Sequence, residues 1–395
     1  MSLINSRART YSPSKAESHL LSQSVKSLLF VVLLSLLPNL SKSTGTMPIQ
    51  SIVVVGGTHG NEYTGVWVTK ALDRKLQRHK LYSTFSLSTI IGNPEAYLQN
   101  RRFVDADLNR QFSHAALEER ENGSHESVEA KRASELNRIL GPKFTSTTED
   151  SCTTKPKTDL LIDLHTTTTN MGTTLIVAAG DPLTTKAAAY VMWKCRDSPT
   201  NKISILMHTH KNQEQRPHLS SIAPHCFSIE AGPVPQGVLR HDIVENTQEA
   251  LDATLEFFER YNSHPDQVDQ ELRDAFPSGL LPCYVSAPSQ RRGEISSKIA
   301  WPSDPENPNF PAWMVHKSIQ DRDFSEIRTG DPLFVDLDGK IIPYDGSHGS
   351  PITLLFVNEG GYYYSSSGTG ISVAHRRQFY FETAELQPLE DNDTN

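Results

Sequence analysis

His59 and Glu62 stand three residues apart in "GGTHGNE", directly after the apolar run "SIVVV". His165 ends the run "LLIDLH", and Glu230 follows "CFSI". Two imidazoles and one carboxylate form a donor set for Zn2+ that leaves a fourth position for water, the usual hydrolytic arrangement. Such an ion lowers the pKa of its water to about 7 and polarises a carbonyl. Glu230, a second carboxylate, then suits a general base that later returns the proton to a leaving amine. Each piece also has a plainer reading. H-x-x-E can be a polar loop entering a helix, His165 can be hydrogen-bonded in a turn, and Glu230 beside Gly232 and Pro233 can be a turn carboxylate. The combination, with every polar residue just after an apolar run, favours the metal.

"RRFVDADLNRQF" supplies further chemistry. Asn109 beside Arg110 offers an amide and a guanidinium that can hold a substrate carboxylate. Arg102 is placed to meet a developing oxyanion. Asp105 and Asp107 are expected to orient these arginines rather than bind Mg2+ or Ca2+. An arginine cluster standing alone would read as solvated surface. His208 and His210 of "MHTH" are expected at the solvent or the rim of a pocket.

These residues need a frame that brings them to one edge. "SIVVVGG", "TFSLSTIIGNP", "LLIDLH" and "HCFSIEAGP" read as strands. The stretches from Asn61, "VEAKRASELNRILG", "PLTTKAAAYVMWKC" and "TQEALDATLEFFERY" read as helices, with Asn61 an N-cap and Gly141 a C-terminal stop. Alternation of this kind predicts an α/β domain with a mostly parallel or mixed sheet, in which ligands bind at the carboxyl ends of strands. From about residue 264 the pattern becomes short apolar runs such as "DPLFVDL", "ITLLFV" and "QFYFE" between turn residues. We therefore expect a leader at 1–46, a catalytic domain at 47–263 and a smaller β-rich domain at 264–395.

Composition narrows the function classes. A net charge of -8 argues against a general nucleic-acid binder. Four widely spaced cysteines, at 152, 195, 226 and 283, suit neither a disulfide scaffold nor a cysteine zinc site, and fit a reducing compartment. No phosphate-binding GxxxxGK[ST] loop is present. The leader is rich in Ser and basic residues, with Glu17 its only acid. Its apolar run "SLLFVVLLSLL" is too short for a comfortable membrane span. It reads as a secretory or organellar targeting segment, or as untranslated if synthesis starts at Met47, which would leave a cytoplasmic protein.

"GGTHGNE", "DADLNR", "LLIDLHTTTTNMG", "IEAGPVPQGVLR", "GDPLFVDLDGKIIP" and "FVNEGGYYY" together resemble aspartoacylase and its aminoacylase-type relatives in the zinc carboxypeptidase-like superfamily. The likeness spans residues 50–365. It implies a mixed-sheet carboxypeptidase-like domain with a smaller C-terminal β-rich domain. It also implies one Zn2+ per chain, held by His59, Glu62 and His165, and a small-molecule N-acyl amino acid as substrate. Arg102 matches the group that polarises the scissile carbonyl, Asn109 and Arg110 match the contacts to the substrate carboxylate, and Glu230 matches the general acid/base. Tyr362 enters only through the resemblance, as a C-domain tyrosine reaching the pocket. Oligomeric state stays open, with a homodimer among the options.

The specificity positions depart from aspartoacylase proper. Arg216 and Ser220 stand where a tyrosine and an arginine bind the aspartate side chain, and Ser366 stands in place of a lysine. Arg216 is the residue expected to substitute for the lost charge. The leading expectation is hydrolysis of N-acyl amino acids, nominally N-acetyl-L-aspartate. The alternatives are an aromatic N-acyl amino acid deacylase, a desuccinylase or a carboxypeptidase, and, from another class, a non-catalytic metal- or amino-acid-binding protein.

Overall fold

Val53, Val54 and Val55 are all buried because strand β1 (Ser51–Gly56) is covered on both faces. Side chains alternate across a strand. Ile52 and Val54 therefore pack on Val68 and Leu72 of helix α1 (Tyr63–Leu76), in the core that α5 (Pro182–Lys194) and α6 (His241–Ser263) also build. Val53 and Val55 point the other way, onto Leu108, Phe112 and Leu136 and Leu140 of α4 (Val128–Leu140). Continuous apolar runs of this kind are what a sheet buried on both sides requires.

The computed structural model describes residues 48–121, 127–145, 155–209, 212–290, 296–307, 310–364 and 369–387. The expected leader, Cys152, His210 and Ser366 lie outside them. Residues Ile49–Asn395 form one compact unit, to which the following refers.

Strands β2 (Ser86–Ile91), β1, β3 (Leu160–Thr166) and β6 (His225–Ala231) run parallel in that spatial order. Strand β4 (Thr173–Ala178) joins β6 antiparallel, and β5 (Ile203–His208) lies parallel to β4. The sheet continues through β7 (Leu280–Ser286) to β14 (Thr369–Tyr380), β13 (Ile352–Leu355) and β10 (Glu326–Ile327), with β8 (Lys298–Ala300) also paired to β14. Among the described residues it is a mixed sheet of eleven strands. A separate three-stranded sheet holds β9 (Trp313–Val315), β11 (Pro332–Asp336) and β12 (Ile341–Pro343). A second core built from Trp301, Phe334, Tyr344, Ile352 and Ile371 marks the smaller β-rich region. Among the described residues no helix is long and apolar enough to cross a membrane.

Among the described residues the remaining α-helices are α2 (Pro94–Leu98), α3 (His114–Glu121) and α7 (Pro265–Ala275). Strands β4 and β5 were not among the sequence expectations. Their runs "TTLIVA" and "ISILMH" are short and apolar, and periodicity alone does not separate such a run from buried helix. Helix α1 starts at Tyr63 with Glu62 at its N-cap, so Asn61 is not the cap. The Asn61 amide instead donates to Gln236 across the loop at 3.0 Å.

Candidate metal centre and active-site cavity

The chain leaves β1 through Gly56 and Gly57. Gly57 has φ +71°, a left-handed conformation that side chains disfavour. A Cβ on Gly56 would lie 2.2 Å from the Gly65 carbonyl oxygen, so bare glycine lets α1 close onto the strand end. The tight loop that results carries His59 and sets Glu62 at the helix entrance.

His59, Glu62 and His165 converge with potential ligand atoms all within 4.8 Å of one another, and all three are buried. Glu62 lies between the imidazoles, its Oε1 2.5 Å from His59 Nδ1 and its Oε2 3.0 Å from His165 Nδ1. The opposite ring nitrogens face other carboxylates. His59 Nε2 is 3.1 Å from Asp107 Oδ1, and His165 Nε2 is 2.9 Å from Asp163 Oδ2. An Nε2–H donated to a carboxylate leaves the Nδ1 lone pair facing inward, the carboxylate–histidine arrangement that orients metal ligands. Buried acceptors converging on one point repel each other unless a cation lies among them. The donor set therefore fits a metal, and two imidazoles with one carboxylate fit zinc. Burial would raise the pKa of Glu62, but His59 and His165 hold it well below the usual carboxylate range.

Strand pairing places the second carboxylate. Glu230 on β6 lies directly opposite His165 on β3 in a parallel register. Burial pushes Glu230 up to about 8, with Glu62 and Glu359 adding and His165 and Arg102 opposing.

Arg102 reaches the centre from the loop before the 3-10 turn Leu108–Arg110. Its Nη1 lies 3.3 Å from Glu62 Oε1 and its Nη2 3.4 Å from Asp107 Oδ2. The loop is tied down by Glu129 of α4, which is fully buried. It accepts from Asn93 Nδ2 at 3.0 Å and from the Val104, Asp105 and Ala106 amides at 2.7, 3.0 and 3.1 Å. Asp107 orients Arg102, as expected. Among the described residues Asp105 holds no arginine; its carboxylate accepts from the Val128 amide at 2.7 Å, at the start of α4. Asn109 Oδ1 accepts from the Leu219 amide at 2.9 Å, which fixes the amide orientation and leaves the NH2 end for a ligand.

Arg102, Asn109, Arg110, Arg216, Glu230 and Tyr362 all line one cavity of about 560 Å3 with the three metal-centre residues. Every expected site residue thus meets at a single place. Ser220 and His208 line it too, and His208 stacks on His218 with centroids 5.5 Å apart. One wall is apolar, made by Ile176, Leu206, Leu355, Phe356 and Val373.

Sequence reasoning missed Glu129, Asp163, Glu359 and Lys298. Asp163 had a signal, since residues two apart share a strand face. Glu359 is buried and accepts from the Thr167 hydroxyl, the Thr168 amide at 2.9 Å and the Gly361 amide at 2.8 Å. It ties the turn carrying Tyr362 to the loop after His165. Lys298, from β8, also lines the cavity, with its ammonium 4.7 Å from the Tyr362 ring centroid.

Residues 48–258 match the profile of the succinylglutamate desuccinylase/aspartoacylase catalytic domain. Residues 294–371 match the AstE/AspA barrel-sandwich hybrid domain. A probable aspartoacylase of Trichodesmium erythraeum is 32% identical over 80% of this chain and 94% of its own length. An N-acyl-aromatic-L-amino acid amidohydrolase (carboxylate-forming) of Xenopus laevis is 34% identical over 80% of this chain and 92% of its own. The crystal structure of murine aminoacylase 3 superposes with a TM-score of 0.65 at 26% identity, covering 84% of this chain and 97% of that one.

Proposed function

The chain belongs to the succinylglutamate desuccinylase/aspartoacylase family, and from that premise we propose that it is a zinc-dependent deacylase of N-acyl amino acids, nominally N-acetyl-L-aspartate. The carrying observation is that the buried His59, Glu62 and His165 cluster opens into the same cavity as Glu230 and Arg102. His59, Glu62 and His165 would hold one zinc ion. When bound, zinc supplies Lewis acidity toward the acyl carbonyl and toward water.

The chain's own groups account for the rest. Asn109 and Arg110 bind the substrate α-carboxylate. Arg102 donates to the carbonyl oxygen as negative charge develops there. Glu230 accepts a proton from the attacking water and passes it to the amide nitrogen as the C–N bond breaks, giving a carboxylate and a free amine. Tyr362 closes the pocket from the β-rich side, and Arg216 faces the substrate side chain. A binding protein without turnover has no use for a recessed base beside an arginine at the metal centre.

A second reading follows from the apolar wall formed by Ile176, Leu206 and Phe356, which favours bulky neutral or aromatic side chains. The cavity of about 560 Å3 also leaves room for more than an acetylated aspartate. The decisive test is metal content of the purified protein together with carboxylate release from a panel of N-acyl amino acids. Stoichiometric zinc and chelator-sensitive turnover support the reading. Full activity without metal, or no turnover by zinc-loaded protein on any member of the panel, overturns it.

A further inference from the structure

Lys298 is a cation with an unusual setting. Its strand β8 pairs antiparallel with β14, so that Lys298 lies opposite Ser372. The Ser372 hydroxyl is hydrogen-bonded to Tyr362 OH, and Lys298 Nζ sits 4.7 Å from the ring centroid of the same tyrosine. Lys298, Ser372 and Tyr362 therefore build one wall of the cavity that holds Arg102, Arg110 and Glu230.

The neighbouring cations differ in how they are compensated. Arg102 has Glu62 and Asp107 within ion-pair range. Arg216 is 7% exposed and hydrogen-bonds to the Cys226 thiol, a neutral partner that leaves its charge to the rest of its surroundings. Among the described residues Lys298 has no carboxylate in ion-pair range, and the Tyr362 ring is the contact its ammonium makes. Burial pushes its pKa down to about 8, helped by Arg110 and Arg102, with Asp107 opposing. A partly desolvated ammonium without a carboxylate is costly unless an anion arrives to meet it.

Among the described residues none brings that anion, which leaves a ligand in the cavity to supply it. An N-acyl amino acid with a neutral side chain brings a single carboxylate, which Asn109 and Arg110 already suffice to hold. We propose that Lys298 is a specificity residue that binds a second carboxylate, the side-chain carboxylate of an acidic N-acyl amino acid. This rests on the deacylase reading and narrows it to dicarboxylic substrates.

The test compares wild type, Lys298→Met and Lys298→Arg on N-acetyl-L-aspartate and N-acetyl-L-methionine, with calorimetric titration of L-aspartate as a readout independent of turnover. In Lys298→Met the ratio of kcat/KM for the aspartate over the methionine substrate should fall about ten- to a hundredfold, the scale of a charged hydrogen bond. The fall should come mainly through KM, L-aspartate affinity should drop by a similar factor, and Lys298→Arg should recover most of both. An unchanged ratio, or equal loss on the two substrates, overturns the assignment. A zinc-loaded wild type that hydrolyses no N-acyl amino acid, aromatic ones included, defeats the deacylase reading instead, and one that hydrolyses others but not N-acetyl-L-aspartate overturns the narrowing to dicarboxylic substrates. If no N-acyl amino acid is turned over, L-aspartate binding indifferent to Lys298→Met overturns the Lys298 role, and binding that weakens sustains it.

Discussion

His165 Nε2 lies 2.9 Å from Asp163 Oδ2, two residues back on the same strand, while Asp163 Oδ1 accepts a 2.7 Å hydrogen bond from the Thr58 hydroxyl. The carboxylate therefore fixes the ring of one proposed ligand and tethers the loop that carries another. Asp163→Asn should lower metal affinity by roughly 10- to 100-fold, the usual cost of losing such a partner. Chelator competition on the folded variant measures this. Unchanged affinity would show that Asp163 is a structural carboxylate only.

Glu230→Gln should still bind metal and substrate but lose most of its turnover, because an amide cannot take the proton from water. Single-turnover kinetics with metal quantified in the same sample separates the two effects. Near-normal kcat would remove Glu230 from the proton path.

Three hydrogen bonds to Glu129 hold the Arg102 loop, and a fourth joins Glu129 to Asn93. Glu129→Ala strips three partly buried backbone amides and the buried Asn93 amide of their acceptor, and an unsatisfied buried donor costs ~1–3 kcal/mol. Urea denaturation should show a loss of at least ~2 kcal/mol, and kcat should fall as Arg102 loses its position. A variant of wild-type stability would mean that water replaces the carboxylate.

Lys143 is buried, with its ammonium donating to Arg216 O at 3.0 Å, Ser221 O at 3.3 Å and Ser221 Oγ at 2.6 Å. Burial pushes its pKa down to about 7 from the ordinary 10.5. Between these values the unfolded chain binds the proton and the folded chain releases it, so this group makes stability rise with pH across that window. Below about 7 it is charged in both states and contributes no slope. Denaturation curves from pH 6 to 10 should show that rise in wild type and a flatter profile in Lys143→Met. Parallel profiles would mean that Lys143 stays protonated throughout.

The elements nearest the chemistry were legible because their signals are local. "SIVVV", "LLIDL" and "CFSI" announce strands by continuous apolar residues, and His59, His165 and Glu230 follow them in the sequence. Parallel pairing then brings those ends to one edge, which is why a donor set spread over more than a hundred residues could be read before the fold was known. Asp163 was legible in principle through its two-residue offset from His165, and Glu129 was not. Nothing in "VEAKRASELN" marks one glutamate of a helix as the anchor of a loop.

The order of the sheet and the character of the pocket were decided by tertiary contacts. Strand β4 runs antiparallel to β6, and no feature of "TTLIVA" specifies that direction. Glu359 meets Thr168 across 191 residues of chain, and Lys298 reaches the cavity from a three-residue strand with no periodicity to reveal it. Hydrophobic periodicity states only which face of an element is buried. Which charge lines the cavity depends on strand register and loop packing between distant segments, so the sequence by itself pointed to the candidate centre while the folded chain decided what surrounds it.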